Sequence, residues 1–178
     1  DKDTVDITNI NRQLIATEST VGMKKTEASE KRLLEINPQI KLNKYDLFYL
    51  PETADKINLS EYDYIVDAID NVTAKLELIV RAKEQNIKII SSMGTGNKIH
   101  PEMLEITDIS KTSVCPLARV IRRELRNKGI NHLTVVYSKE EPQNIDGERT
   151  PASSTFVPIS AGVLIASKVV QDILEIKQ

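Results

Sequence analysis

Residues 62–92 read YDYIVDAIDNVTAKLELIVRAKEQNIKIISS: two short apolar runs separated by one longer amphipathic stretch. The first run ends in carboxylates, the form of a strand buried in a parallel sheet. NVTAKLELIVRAKEQN reads as a helix and IKIISS as the strand that follows it. Strand, helix and strand in this order place the chain in the α/β class.

The flanking segments extend the alternation. KKTEASEKRLLEINP is predicted to be a helix with Ala28, Leu33 and Leu34 on one side, stopped by Asn37-Pro38. IKLNKY reads as a short strand, and PETADKI as a helical turn with Pro51 at its first position. Beyond Ser92 come a glycine-containing loop, MGTGNKIHPE, and a strand, MLEITDI. The helix PLARVIRRELRNKG then opens at Pro116 and closes near Gly129, and HLTVVYS forms another strand. Residues 139–155 are polar and rich in turn formers, and are expected to form a mobile loop. The expectation is a Rossmann-like, doubly wound sheet.

A chain of 178 residues with 40% hydrophobic residues suits one core and hence a single domain spanning 1–178. Its net charge of -2 gives no overall pull toward nucleic acid, so any such contact needs a local patch, and no DNA partner is expected. Cys115 is the single cysteine, which excludes an internal disulfide and a four-cysteine zinc site; His100 and His132 lack ligand spacing. These features fit a reducing, cytoplasmic compartment. The apolar C-terminal stretch FVPISAGVLIASKVVQDILEI is interrupted by Lys168 and Asp172, which favours a buried or interface helix over a transmembrane segment, and no signal peptide is visible.

In doubly wound sheets, ligands bind outside the carboxyl ends of the strands, and an acidic residue ending the second strand holds a ribose hydroxyl. Asp1 fits that position if a strand, a glycine-rich turn and a helix precede it. Asp67 and Asp70 close a later strand, where a carboxylate can hold a magnesium ion bridging phosphate oxygens. The alternative is that Asp67 caps the next helix and Asp70 is a solvated loop residue. Asn9, Asn11, Arg12 and Gln13 put four hydrogen-bonding side chains into five positions, too dense for a core strand. Arg12 can fork onto phosphate oxygens and Asn9 can donate an amide hydrogen bond to them; an exposed turn is the alternative. Lys25 stands at a helix start, where its charge favours a bound anion.

The segments DKDTVDITNINRQ, VGMKK, INP and VDAIDN, in this order and spacing, resemble the ThiF/MoeB/HesA superfamily, whose members adenylate carboxylates. The resemblance implies a nucleotide-binding part over 1–92 and a substrate and dimer part over 93–178. It implies ATP and Mg2+ as cofactors. Asp1 would hold the ribose, Asn9, Arg12 and Gln13 the phosphates, Lys25 the phosphate at the reacting centre, and Asp70 the magnesium. On that reading Arg12, Lys25 and Asp70 are the catalytic residues. The family's glycine-rich nucleotide loop is not within these 178 residues, so the chain is expected to begin after the first βαβ half of the fold and to bind ATP weakly on its own.

The second half is similar to the bacterial tRNA threonylcarbamoyladenosine dehydratase branch, through SMGTGNKIHPEMLEITDISKTSVCPLARVIRRELRNKGI. Lys75 stands where sulfur-carrier enzymes of the superfamily carry arginine, and the paired CxxC zinc ligands of the molybdopterin type are missing. This implies ATP-dependent cyclisation of threonylcarbamoyladenosine in tRNA, homodimerisation through apolar helices, and a sulfur-transfer protein or a membrane surface as optional partners. Arg119, Arg122, Arg123 and Arg126 follow i, i+3, i+4, i+7 on one helical face, with Lys128 beyond, a stripe suited to the tRNA backbone. The alternative is a solvated face neutralised by Glu124. Two rival functions stand beside this one: adenylation of a ubiquitin-like sulfur carrier, with Cys115 as acceptor, and a non-catalytic dimerisation module. For Cys115, a small structural residue before Pro116 is the favoured role.

Overall fold

The computed structural model describes residues 1–143 and 151–176, and divides them into two compact units, Asp1–Tyr49 and Leu50–Gln178. In the first unit, the opening segment pairs with the residues before the first helix. The Val5 amide donates to the Met23 carbonyl at 2.8 Å, Gly22 donates to Val5 at 2.9 Å, and Lys25 donates to Asp3 at 2.9 Å. Gly22, at φ 86°, takes the left-handed turn that brings the two segments together. Helix α1, Lys25–Ile36, follows. The core is small: Val5, Ala16 and Ala28, with Ile15 against them.

Two expectations fail in this unit. Ala28, Leu33 and Leu34, expected on one side of α1, do not share a burial: Ala28 is buried in the small core and both leucines are exposed. Residues 40–45 form no strand; no extended neighbour offers them a hydrogen-bonding edge among the described residues.

The second unit holds the sheet. PETADKI becomes a turn starting at Pro51 followed by a short 3-10 helix, Ala54–Lys56. Strand β1 (Tyr64–Asp67), helix α2 (Val72–Glu84) and strand β2 (Lys88–Ser92) form the anticipated βαβ unit. Strand β3 (Leu104–Asp108), helix α3 (Pro116–Asn127), strand β4 (Thr134–Ser138) and helix α4 (Phe156–Ile173) complete it. The strand order is β1-β2-β4-β3, parallel from β1 to β4, with β3 antiparallel at the edge. The sheet is therefore mixed, and the parallel strands share one carboxyl edge.

Side-chain alternation sends the two faces to different helices. Ile90 and Val136 pack with Ala161 and Ile165 of α4, and Tyr64, Leu104 and Ile106 join them. The opposite face carries Ile65, Asp67, Ile89 and Ser91 toward α2, against which α3 lies through buried Ala118, Ile121 and Leu125. Helices on both faces satisfy the doubly wound expectation. Helix α4 has the length and composition to cross a membrane, but one side of it covers the sheet. Lys168 and Asp172 pair at 2.5 Å, and the Tyr64 hydroxyl donates to Asp172 at 2.8 Å.

Candidate functional site

In the first unit the polar opening segment is folded tightly on itself. Asp6 caps a 3-10 turn, Ile7–Asn9: its carboxylate accepts from the Thr8 amide at 2.8 Å, while its own amide donates to Asn9 Oδ1 at 3.1 Å. The Asn9 carbonyl oxygen is thus structural and the residue is buried, which leaves only its amide nitrogen for the donor role foreseen. Among the described residues, half-buried Arg12 is held through Nη1, which donates to the Thr8 carbonyl at 2.8 Å and to Asn11 Oδ1 at 2.9 Å. A guanidinium anchored at one nitrogen keeps its other N–H groups for a ligand. The Gln13 backbone N–H donates to the Asn9 backbone carbonyl at 2.9 Å.

Lys25 is the first residue of α1, as anticipated, and pairs with Asp3 at 3.1 Å. Its neighbour Lys24 pairs with Asp46 at 2.5 Å, and that carboxylate also accepts from the Thr26 hydroxyl at 2.6 Å. The Lys24 and Thr26 hydrogen bonds hold the Asp46 carboxyl below its ordinary value. Asp1 is exposed, and its Oδ1 accepts from the Asp3 amide at 2.9 Å. Lys24 and Lys25 stand at the start of α1 and Arg12 on the preceding polar turn, residue types that suit phosphate oxygens.

In the second unit, the carboxyl edge of the parallel strands is built around an ion pair the sequence did not disclose. Asp67 ends β1 fully buried, and Lys75 reaches it from the first turn of α2, also fully buried, at 2.7 Å. The same ammonium donates to Ser91 Oγ at 3.1 Å and to the Ser92 carbonyl at 3.0 Å, which uses all three of its protons. Asp67 Oδ2 also accepts from the Ser91 hydroxyl at 2.5 Å, and Oδ1 from the Ile69 amide at 3.0 Å. Burial pushes the Lys75 ammonium below its ordinary value, opposed first by the charge of Asp67. Asp67 does not cap α2; Asn71 does, accepting from the Ala74 amide at 3.0 Å.

Asp70 lies between these anchors, exposed in the turn that Asp67 and Asn71 fix at either end. Among the described residues no group of three or more acidic, histidine or cysteine side chains is arranged to hold a metal. One open carboxylate suits Mg2+, which keeps its waters and binds through one or two carboxylates plus substrate phosphates.

A second buried lysine organises the loop after β2. Lys98 donates to the Ser138 carbonyl at 3.2 Å, and buried Glu140 accepts from the Ile99 and His100 amides, each at 3.0 Å. Burial pushes the Lys98 ammonium below its ordinary value. Gly96 is required here, since a Cβ would lie 2.7 Å from Pro151 Cβ. The loop foreseen as mobile, 139–155, is therefore held at its described flanks; residues 144–150 lie outside the described residues. Cys115 is 2% exposed and sits under Gly94, whose hypothetical Cβ would be 3.6 Å from Sγ.

On α3, Arg119, Arg123 and Arg126 are exposed, and Lys128 follows them. Arg122 does not share their face: it turns in to the Thr112 carbonyl and hydroxyl at 2.7 and 2.6 Å, and so acts as a structural brace.

A mixed, doubly wound sheet with ordered carboxylates at its parallel carboxyl edge defines an α/β protein of Rossmann-like type. The chain belongs to the ThiF family, which matches residues 1–177. It is 38% identical to the tRNA threonylcarbamoyladenosine dehydratase of Bacillus subtilis, covering 98% of this chain and 76% of that protein. It is 34% identical to the protein of the same name from Haemophilus influenzae, covering 99% and 76%. Among solved structures it is similar to the E. coli tRNA N6-threonylcarbamoyladenosine dehydratase, TcdA, in complex with AMP, at TM-score 0.90 and 28% identity over 98% of this chain and 74% of that one. The same enzyme in complex with ATP superposes at TM-score 0.87 and 29% identity, over 98% and 73%.

Proposed function

We propose that this protein dehydrates threonylcarbamoyladenosine in tRNA at the expense of ATP. The observation that carries the reading is the likeness to dehydratases of that name along nearly the whole chain, at 38% identity and with the fold of an ATP-bound member.

The chemistry follows from the substrate. A carboxylate is a poor electrophile, so its oxygen attacks the α-phosphorus of ATP and pyrophosphate leaves. The neighbouring carbamoyl group then attacks the activated carbonyl carbon, and AMP departs with the former carboxylate oxygen. The sum is loss of one water from the nucleoside. Because the second nucleophile is tethered to the first, ring closure needs no protein nucleophile. Cys115, buried beneath Gly94, agrees with a route that forms no protein thioester.

The first step brings anions together, and cations must offset the charge that builds on the phosphates. In this reading Arg12 forks onto phosphate oxygens, Asn9 donates through its amide nitrogen with Gln13 beside it, and Lys25 meets the phosphate where the carboxylate attacks. Asp1 takes the ribose. Asp70 holds Mg2+, which would supply further charge neutralisation at the phosphates when bound. The Lys75–Asp67 pair keeps the Asp70 turn in place.

The test is AMP and pyrophosphate release by the purified protein with tRNA that carries threonylcarbamoyladenosine or lacks it. AMP is expected only with the modified tRNA. Arg12→Ala is expected to slow it about 100-fold, the scale on which single charge-stabilising donors act. Equal AMP formation with both tRNAs would refute the proposal.

A further inference from the structure

Helix α3 divides cleanly into two sides. Ala118, Ile121 and Leu125 are buried, and Arg122 is turned in to Thr112. Arg119, Arg123 and Arg126 are left on the solvent side at i, i+4 and i+7, so three guanidinium groups lie in one row about 10 Å long. The helix contains one acidic residue, Glu124, which pairs with Arg123 at 2.7 Å. That pair is exposed and between adjacent residues, so it gives way readily to a stronger anion.

On its other side, the C-terminal end of α3 meets α2. Lys128 and Ile130 face Val80, Lys83 and Glu84 of α2 across an open pocket of about 310 Å³. Val80 and Ile130 supply its apolar lining, and its charged lining is Lys83, Lys128 and Glu84. In a chain of net charge -2, this concentration of cations is local rather than a reflection of the whole molecule.

We propose that the exposed face of α3 is the surface on which the RNA backbone lies, with phosphates along the row of Arg119, Arg123 and Arg126. This rests on the tRNA-modifying reading above. Aromatic side chains are absent from the row and the pocket lining, so the surface reads phosphate position and helix shape, not base identity. Arg122 is excluded from it by its bonds to Thr112.

The test compares the wild-type protein with Arg119→Gln/Arg126→Gln in dehydration of threonylcarbamoyl-modified tRNA across a salt series. The expected result is a rise of about tenfold in KM for tRNA, with the effect on KM and not on kcat, and a binding-versus-salt slope shallower by about 1 to 2. Arg122→Gln should lower the melting temperature and leave the salt slope as it is. An active wild type whose tRNA KM and salt slope are unaltered by the double substitution overturns the surface. So does a loss confined to binding of phosphatidylserine vesicles, which would make the row a lipid contact. A wild type that binds tRNA, loses slope on substitution, yet never dehydrates the nucleoside upholds the surface and removes the proposed reaction.

Discussion

Lys75 shows how much of the site can be hidden in a single residue. A lysine in the first turn of a helix reads as a solvated charge, and only the packing of α2 over β1 and β2 brings it under Asp67, Ser91 and Ser92. Asp67 sits eight positions earlier in the same VDAIDNVTAK stretch, but sequence spacing does not say that the two meet. Removing one partner strands a buried charge, so Lys75→Met and Asp67→Asn should each destabilise the protein by roughly 3–5 kcal/mol. The double substitution Lys75→Met/Asp67→Leu should recover much of that loss, as isosteric apolar replacements of buried pairs do. Urea titrations of the three variants check it; additive losses would mean that the pair is not a unit. The exposed turn at Asp70 is legible because its place after an apolar strand is a feature of sequence order, whereas helical spacing cannot reveal the inward hydrogen bonds of Arg122.

At the scale of elements, legibility followed local signals. Helices α2 and α3 were bounded correctly because their ends carry chemistry: Asn71 caps one and Pro116 opens the other, while Asn86 at φ 55° and Gly129 at φ 74° close them. Asn71→Ala should cost about 1 kcal/mol, measured by thermal unfolding, because the Ala74 amide loses its partner. Strand β3 was legible as a strand but not as antiparallel, since direction depends on the connection that returns the chain to β4. Residues 40–45 have the composition of a strand without a neighbour to pair with, and pairing is what makes one. Helix α4 shows the same limit. Its apolar residues were evident, but which of them cover the sheet, Ala161 and Ile165, and which face solvent, Val163 and Val170, follows from packing alone.

For the molecule as a whole, the surface charge network sets the response to acid. The hydrogen bond from Lys24 holds Asp46 below its ordinary 3.8, that from Lys139 holds Glu105 below 4.5, and that from Lys168 holds Asp172 below 3.8. A carboxyl group whose folded pKa is depressed contributes stability above its unfolded value and loses it as pH falls through the folded one. The melting temperature should therefore be level, so far as these groups decide it, at pH 5 to 7 and fall progressively below about pH 4.5. Salt should weaken this acid sensitivity most at the exposed Lys24–Asp46 pair and less at the half-buried Lys168–Asp172 pair, because ions screen exposed charges more fully.

Removal of water from threonylcarbamoyladenosine in tRNA with ATP can be followed on the nucleoside itself. The protein is incubated with ATP, Mg2+ and modified tRNA, the tRNA is digested, and the nucleoside is weighed by mass spectrometry. The expected product is lighter by one water, requires ATP, and is abolished or slowed at least about 100-fold by Asp70→Ala. An unchanged nucleoside mass, with AMP formed only when a sulfur-carrier protein is supplied, would contradict the proposed dehydration.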